Sequence, residues 1–292
     1  MEVTNKPFRL VYEVIVRGKK LKVDEEVLRE ALKVASSNKV LLHFLRALDL
    51  RGSVRWEEEA RFRKFLRDLS DVVKALEGLD YLFIKLMKPV VYVPSDIDVL
   101  ISRKSLKVAI GRLKDRGFKV EVMEPYCITF KSSNSTILDL YLYPTLANVI
   151  YLDARRLFEH AFNADFYGLE LPTLAPHAEA LLSASHAIYK ERIYTLNDYL
   201  TVSKWLTVES ICLAKEVKCE QAIEVANLIN ELVAKGDLSL PYKLPLPYWF
   251  TSLIGKAVRD ELTRASLRSL LKSLRDRRVG RQILSKLTRI SY

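Results

Sequence analysis

Pro94-Ser95-Asp96-Ile97-Asp98-Val99-Leu100-Ile101 is the stretch on which the reading of this chain turns. Residues i and i+2 of a strand share a face. On a strand, then, Asp96 and Asp98 present two carboxylates to one side, while Ile97, Val99 and Ile101 face the other way into a core. Two adjacent carboxylates repel, and such a pair is stable mainly when a cation lies between them. A third carboxylate stands about 40 residues on, in Ile137-Leu138-Asp139-Leu140-Tyr141-Leu142. There Leu138, Leu140 and Leu142 form one face, and Asp139 shares the other with Ile137 and Tyr141. A charge in so apolar a strand needs a reason, and a shared metal supplies one. Three aspartates on neighbouring strands can hold two Mg²⁺ ions for in-line phosphoryl chemistry. The alternative is a surface pair at a loop edge with a salt-bridged Asp139.

Working outward, Tyr81-Leu82-Phe83-Ile84 reads as a buried strand, and Ser105 to Arg116 as an amphipathic helix closed by Gly117. Phe118 to Met123, Cys127 to Lys131 and Thr136 to Tyr143 read as three more strands. The expected unit is an α/β core over residues 79–145. Before it, residues 1–78 form a lead-in. Phe8 to Val16 fits a strand turned by Arg17-Gly18-Lys19 into Leu21-Val23, or a short helix. Asp24 caps a helix carrying Val27, Leu28, Ala31, Leu32 and Ala35; Val40 to Leu48 and Trp56 to Glu77 follow as helices, with Glu57, Glu58 and Glu59 near the N-terminal end of the last. After Pro144 the chain reads as largely helical. Residues 146–235 hold helices over 172–192, 196–206 and 220–234; residues 236–292 hold a loop with Pro241, Pro245 and Pro247, then two basic helices broken near Val279-Gly280. The fold class is α+β, a small mixed-sheet core between helical regions.

Composition sets the outer bounds. The chain has 292 residues, 49% hydrophobic and 28% charged, with 9 Gly and 10 Pro, which excludes disorder and collagen-like chains. No apolar run approaches the ~20 residues that span a bilayer, and residues 1–10 carry no secretory signal pattern. Cys127, Cys212 and Cys219 have no paired spacing, which argues against disulfides and zinc and for a reducing, cytoplasmic compartment. Gln221 and Gln282 are the only glutamines against many Lys, Arg and Glu, a composition that leans toward a thermophilic source. Net charge is +11, and Lys256 to the C-terminus alone holds 11 Lys/Arg against 3 Asp/Glu. A basic tail of this kind attracts phosphates, or is a solvated helix face.

Ser95-Asp96-Ile97-Asp98-Val99-Leu100-Ile101 and Asp139 together resemble the Asp-x-Asp strand and third aspartate of the DNA polymerase β-like nucleotidyltransferase superfamily. More narrowly, the chain looks like uncharacterised nucleotidyltransferases related to abortive-infection toxins. Leu28 to Leu48, Tyr81 to Lys85, and Leu174 to Lys190 with His186 resemble their flanking segments, so the likeness covers residues 25–205. What the resemblance implies is transfer of a nucleoside monophosphate from an NTP to a hydroxyl. Asp96, Asp98 and Asp139 would be the catalytic and metal-binding residues, with Mg²⁺ or Mn²⁺ as cofactor. One departure accompanies it: Lys85-Leu86-Met87-Lys88 stands where the superfamily carries Gly-Ser, so Lys85 or Lys88 would meet phosphate as a point charge.

Secondary candidates follow. Ser95 is a phosphate or metal-shell contact, or a turn residue. His186 and Lys190, one helical turn apart, with Arg192 and Asp198 would line the far wall of a nucleotide cleft, the alternative for His186 being a packed structural residue. Tyr141 and Tyr143 would stack on a base, and Arg103 and Lys104 would touch phosphate. RNA, tRNA among it, is the expected acceptor, through the basic tail, and an antitoxin is a possible partner class. Two other functions stay open: a non-catalytic descendant that binds nucleic acid, and toxin-like nucleotidyl transfer to a protein hydroxyl.

Overall fold

In the computed structural model, residues 7–20 and 24–273 are described. The first region is helical: α1 (Pro7–Ile15), α2 (Glu25–Ser37), α3 (Leu41–Ala47) and α4 (Ser53–Leu76). A mixed α/β stretch follows: β1 (Tyr81–Phe83), β2 (Asp96–Ile101), α5 (Arg103–Asp115), β3 (Lys119–Met123), β4 (Cys127–Lys131) and β5 (Ile137–Tyr141). Next come β6 (Thr145–Leu146), β7 (Val149–Ile150), α6 (Ala154–Phe158), β8 (Ala161–Phe166) and β9 (Leu169–Leu174). The remainder is α7 (Pro176–Ser185), a π-helical turn over His186–Glu191, β10 (Ile193–Tyr194), α8 (Leu196–Trp205), α9 (Val208–Glu216), α10 (Glu220–Lys235), β11 (Tyr242–Lys243), α11 (Leu246–Arg259) and α12 (Glu261–Ser273).

Seven strands make one mixed sheet in the order β3-β4-β5-β2-β1-β9-β8. β2 pairs parallel with β5 and antiparallel with β1, and β1 pairs parallel with β9. The α+β class with helices flanking a mixed sheet is therefore the architecture of the chain. Ile97, Val99 and Ile101 pack with Leu138, Leu140 and the stripes of α4 (Phe62, Phe65, Leu69, Val72) and α5 (Ala109, Leu113). The opposite face, carrying Leu82, Leu100, Cys127 and Tyr141, packs against α7, α8 and α10. The aspartates lie on that second face, so the helices that follow the sheet wall the site.

Four readings are corrected. Phe8 to Val16 is α1, the helical alternative, and Leu21-Val23 lies outside the described residues. Its apolar run fits either element, but Arg9, Glu13 and Arg17 are four apart and pair only on a helix, at 2.8 and 3.0 Å. The chain after Pro144 is not simply helical: β8 and β9 form a hairpin that completes the sheet, with Phe83 opposite Thr173. The Pro-rich loop contains β11, paired with β10. The basic tail is partly structural as well. Lys256 is 0% exposed, its Nζ donates to the Val217 carbonyl, and it pairs with Asp260 at 2.6 Å. Ser266 accepts a hydrogen bond from the Ile150 N–H, which docks α12 on β7. The break near Val279-Gly280 lies outside the described residues. No helix among the described residues is long and apolar enough to cross a membrane.

Candidate functional site

The acidic pair opens β2, where the strand emerges from Pro94, and parallel pairing with β5 sets Asp98 directly opposite Asp139. One ligand oxygen from each of Asp96, Asp98 and Asp139 lies within 4.8 Å of the other two. Among the described residues no other His, Cys, Asp or Glu cluster of this kind occurs, and Cys212 is exposed while Cys219 is buried. The triad forms the floor of a cleft of about 900 Å³. An all-carboxylate donor set suits a hard, oxygen-preferring divalent cation such as Mg²⁺ or Mn²⁺.

Asp98 is 7% exposed. Burial raises its pKa to about 7, the negative charges of Asp96 and Asp139 add to this, and Lys85 and Lys190 oppose it. Asp96 behaves otherwise: burial would raise it, but Lys85, the Ser95 hydroxyl and more distant lysines hold it below the ordinary carboxylate range. Ser95 Oγ donates to Asp96 Oδ1 at 2.8 Å. Asp139 accepts two hydroxyls, Thr129 Oγ1 at 2.5 Å and Tyr141 at 3.0 Å.

Lys85 lies at the heart of the site. Its Nζ is 2.7 Å from Asp98 Oδ1 and 5.5 Å from the centre of the Tyr141 ring. Burial alone would lower its pKa, but Asp98 and Asp96 raise it overall, so the ammonium stays charged. Its backbone is left-handed, φ +59°, a conformation that costs a non-glycine residue about 1 kcal/mol. Two bonds hold it there. The Lys85 N–H donates to Glu179 Oε2 at 3.0 Å, and the Tyr92 hydroxyl donates to its carbonyl at 2.5 Å. Glu179, on α7, is 0% exposed and pairs with Lys88 at 2.7 Å.

Lys190 donates to the Tyr141 hydroxyl at 3.1 Å, so Lys190, Tyr141 and Asp139 form a chain of bonds. His186 also lines the cleft; its Nδ1 meets the Tyr151 hydroxyl at 3.2 Å and its Nε2 lies 3.6 Å from Glu191. Asp198 lines the cleft too, but its carboxylate caps α8 through Thr195. The remaining candidates lie elsewhere. Arg192 and Tyr143 are not on the cleft wall, and Tyr143 stacks edge-on with Tyr126. Arg103 and Lys104 follow the far end of β2, about 20 Å along the strand from Asp96, and Lys104 pairs with Asp80. Lys88 reaches the cleft but is engaged by Glu179.

Sequence reasoning missed Glu179, Thr129, Tyr92 and Lys39. Lys39 lines the same cleft, and burial lowers its pKa against the pull of Asp198, Glu191 and Asp96. Only Thr129 left a signal, as a hydroxyl residue between Ile128 and Phe130 on the side of the strand that carries Cys127.

No family model matches the chain, and no curated protein does either. Among solved structures, the chain is similar to the lincosamide antibiotic adenylyltransferase LnuA with lincomycin bound, at 19% identity over 48% of this chain and 93% of that one, with a TM-score of 0.35. It is also similar to two structures of the antibiotic-resistance factor ANT(2'')-Ia. One is a solution structure, at 12% identity over 60% of this chain and 95% of that one, with a TM-score of 0.33. The other is a crystal complex with adenylyl-2''-tobramycin, at 13% identity over 58% and 98%, also with a TM-score of 0.33.

Proposed function

We propose that the chain is a nucleotidyltransferase that moves a nucleoside monophosphate from an NTP to a hydroxyl acceptor with the help of Mg²⁺ or Mn²⁺. The observation that carries this reading is the carboxylate triad, closed to within 4.8 Å at the floor of a cleft large enough for a nucleotide.

Asp96, Asp98 and Asp139 would hold the cation, which when bound would neutralise phosphate charge and lower the pKa of an acceptor hydroxyl. The chain's own residues do the rest. Lys85 and Lys190 offer ammonium groups to the phosphates from two sides of the triad. Thr129 and Tyr141 fix the orientation of Asp139, and Ser95 that of Asp96. Most of the rate enhancement comes from this positioning and charge complementarity rather than from covalent chemistry. His186, beside Lys190, belongs to the wall that the nucleotide or acceptor meets.

The test is calorimetry of the four NTPs with Mg²⁺ or Mn²⁺, comparing wild type with Asp96→Asn/Asp98→Asn. Labelled NTP would then be offered with RNA, beginning with tRNA, with protein, and with small hydroxyl compounds. Cation-dependent binding lost in the double variant supports the proposal, and absence of binding for every NTP and both cations sinks it. RNA is the acceptor we favour, through the exposed Arg259 and Arg264 at the described end of the basic tail. A second reading, a non-catalytic nucleic-acid-binding protein, draws on one observation: an ammonium group already sits on Asp98.

A further inference from the structure

Each carboxylate of the triad already has a polar partner. Asp98 has the Lys85 ammonium at 2.7 Å. Asp139 has the hydroxyls of Thr129 and Tyr141, and Tyr141 in turn takes Lys190. Asp96 has Ser95. A bare divalent cation entering this site must displace a buried ammonium that has nowhere better to go, because taking an ion pair apart in a buried setting leaves a charge uncompensated.

The Lys85 backbone cannot relieve this. Its N–H is held by Glu179 and its carbonyl by Tyr92. A phosphate therefore finds the backbone N–H of this residue already taken, and the ammonium on its flexible four-carbon stem is the group that can meet it. The Tyr141 ring lies 5.5 Å from that ammonium and 5.2 Å from the Lys190 ammonium. Both ammonium groups thus lie near the Tyr141 ring, and all three residues line the cleft with the carboxylates.

We infer that cation and polyphosphate sites are coupled through Lys85: it keeps a lone divalent cation off Asp98, and a cation enters together with a polyphosphate that draws the ammonium away. This rests on reading the triad as a cation and nucleotide site. It goes beyond that reading in pairing Asp98 with an ammonium in the metal-free protein and in giving Lys85 two alternate partners, a carboxylate and a phosphate.

The experiment is Mn²⁺ binding followed by electron paramagnetic resonance, with and without inorganic tripolyphosphate, on wild type and on Lys85→Met, Lys85→Arg and Asp98→Asn. Wild type is expected to bind Mn²⁺ weakly alone and about tenfold more tightly with tripolyphosphate. Lys85→Met is expected to bind Mn²⁺ alone about tenfold more tightly than wild type, the low end of what one neighbouring opposite charge is worth, and to lose the coupling. Lys85→Arg, which keeps the charge, is expected to retain it. If Lys85→Met binds Mn²⁺ alone no better than wild type, while binding still depends on Asp98, the inference fails and the proposed function stands. If no Mn²⁺ binding depends on Asp98 in any protein, both fail. Should Lys85→Met not fold, wild-type Mn²⁺ affinity that ignores tripolyphosphate overturns the inference by itself.

Discussion

Asp98 of β2 and Asp139 of β5 are directly opposed partners in a parallel strand pair, although 40 residues separate them in sequence. Parallel pairing needs a crossover, and here α5 and the β3–β4 hairpin supply it, so the two carboxylates meet only when the whole sheet is assembled. That arrangement turns two unremarkable aspartates into one acidic site.

Asp98→Asn is expected to lower the proposed nucleotidyl transfer on the order of a thousandfold, about 4 kcal/mol of transition-state stabilisation. Its effect on the thermal midpoint should be small. It removes repulsion with Asp96 and Asp139 and also removes the partner of Lys85, and these oppose each other. A steady-state assay beside a thermal melt checks both halves; a large fall in stability together with activity would make Asp98 structural.

The metal-free protein should lose stability as pH rises from about 4 to about 7. A carboxyl whose folded pKa is raised, here Asp98 at about 7, contributes stability that is fully present below its unfolded value of about 3.9 and is lost as it ionises in the fold. Mn²⁺ added together with tripolyphosphate should restore stability at the upper end of that window, where the carboxylate is free of its proton, and Mn²⁺ alone should restore little. Thermal melts across the window, with Mn²⁺ alone, with both and with neither, give the answer, and Asp98→Asn should flatten the metal-free curve.

Glu179→Ala should destabilise the fold by about 3 kcal/mol. It leaves the Lys88 ammonium, 7% exposed at its side chain, without its buried partner and frees the left-handed Lys85 from its main restraint. Chemical denaturation measures this. A loss under about 1 kcal/mol would mean that α7 does not depend on this carboxylate for its hold on the sheet.

Glu13 acts in the opposite direction to Asp98. Burial would raise its pKa, but Lys19, Arg9 and Arg17, at 2.7, 2.8 and 3.0 Å, lower it overall. Its stabilisation is present above the unfolded value and is lost as pH falls through the depressed folded one. Glu13→Gln should cost about 1 kcal/mol at neutral pH, discounted because its three partners are a third to a half exposed. That cost should vanish in acid, below the window in which Asp98 acts.

The chemistry of β2 and β5 is legible in the local sequence. The two-residue alternation put Asp96 and Asp98 on the face opposite Ile97, Val99 and Ile101, and the same logic singled out Asp139. It also set α4, α5 and the strands between them, because apolar period and capping glycines are local properties that survive folding. Tertiary structure decided the rest. β8 and β9 join the sheet because β9 finds β1, some 90 residues away, and no local period records a partner at that distance. Lys85 was legible as a lysine near the site, but its pairing with Asp98 and its left-handed backbone depend on Glu179 and Tyr92 arriving from α7 and the β1–β2 loop. Lys88, a phosphate candidate by sequence, became a structural ion pair for the same reason. A charge's partner is chosen by distance in the assembled fold, and that distance is fixed only once the helices after the sheet have packed against the face that carries the aspartates.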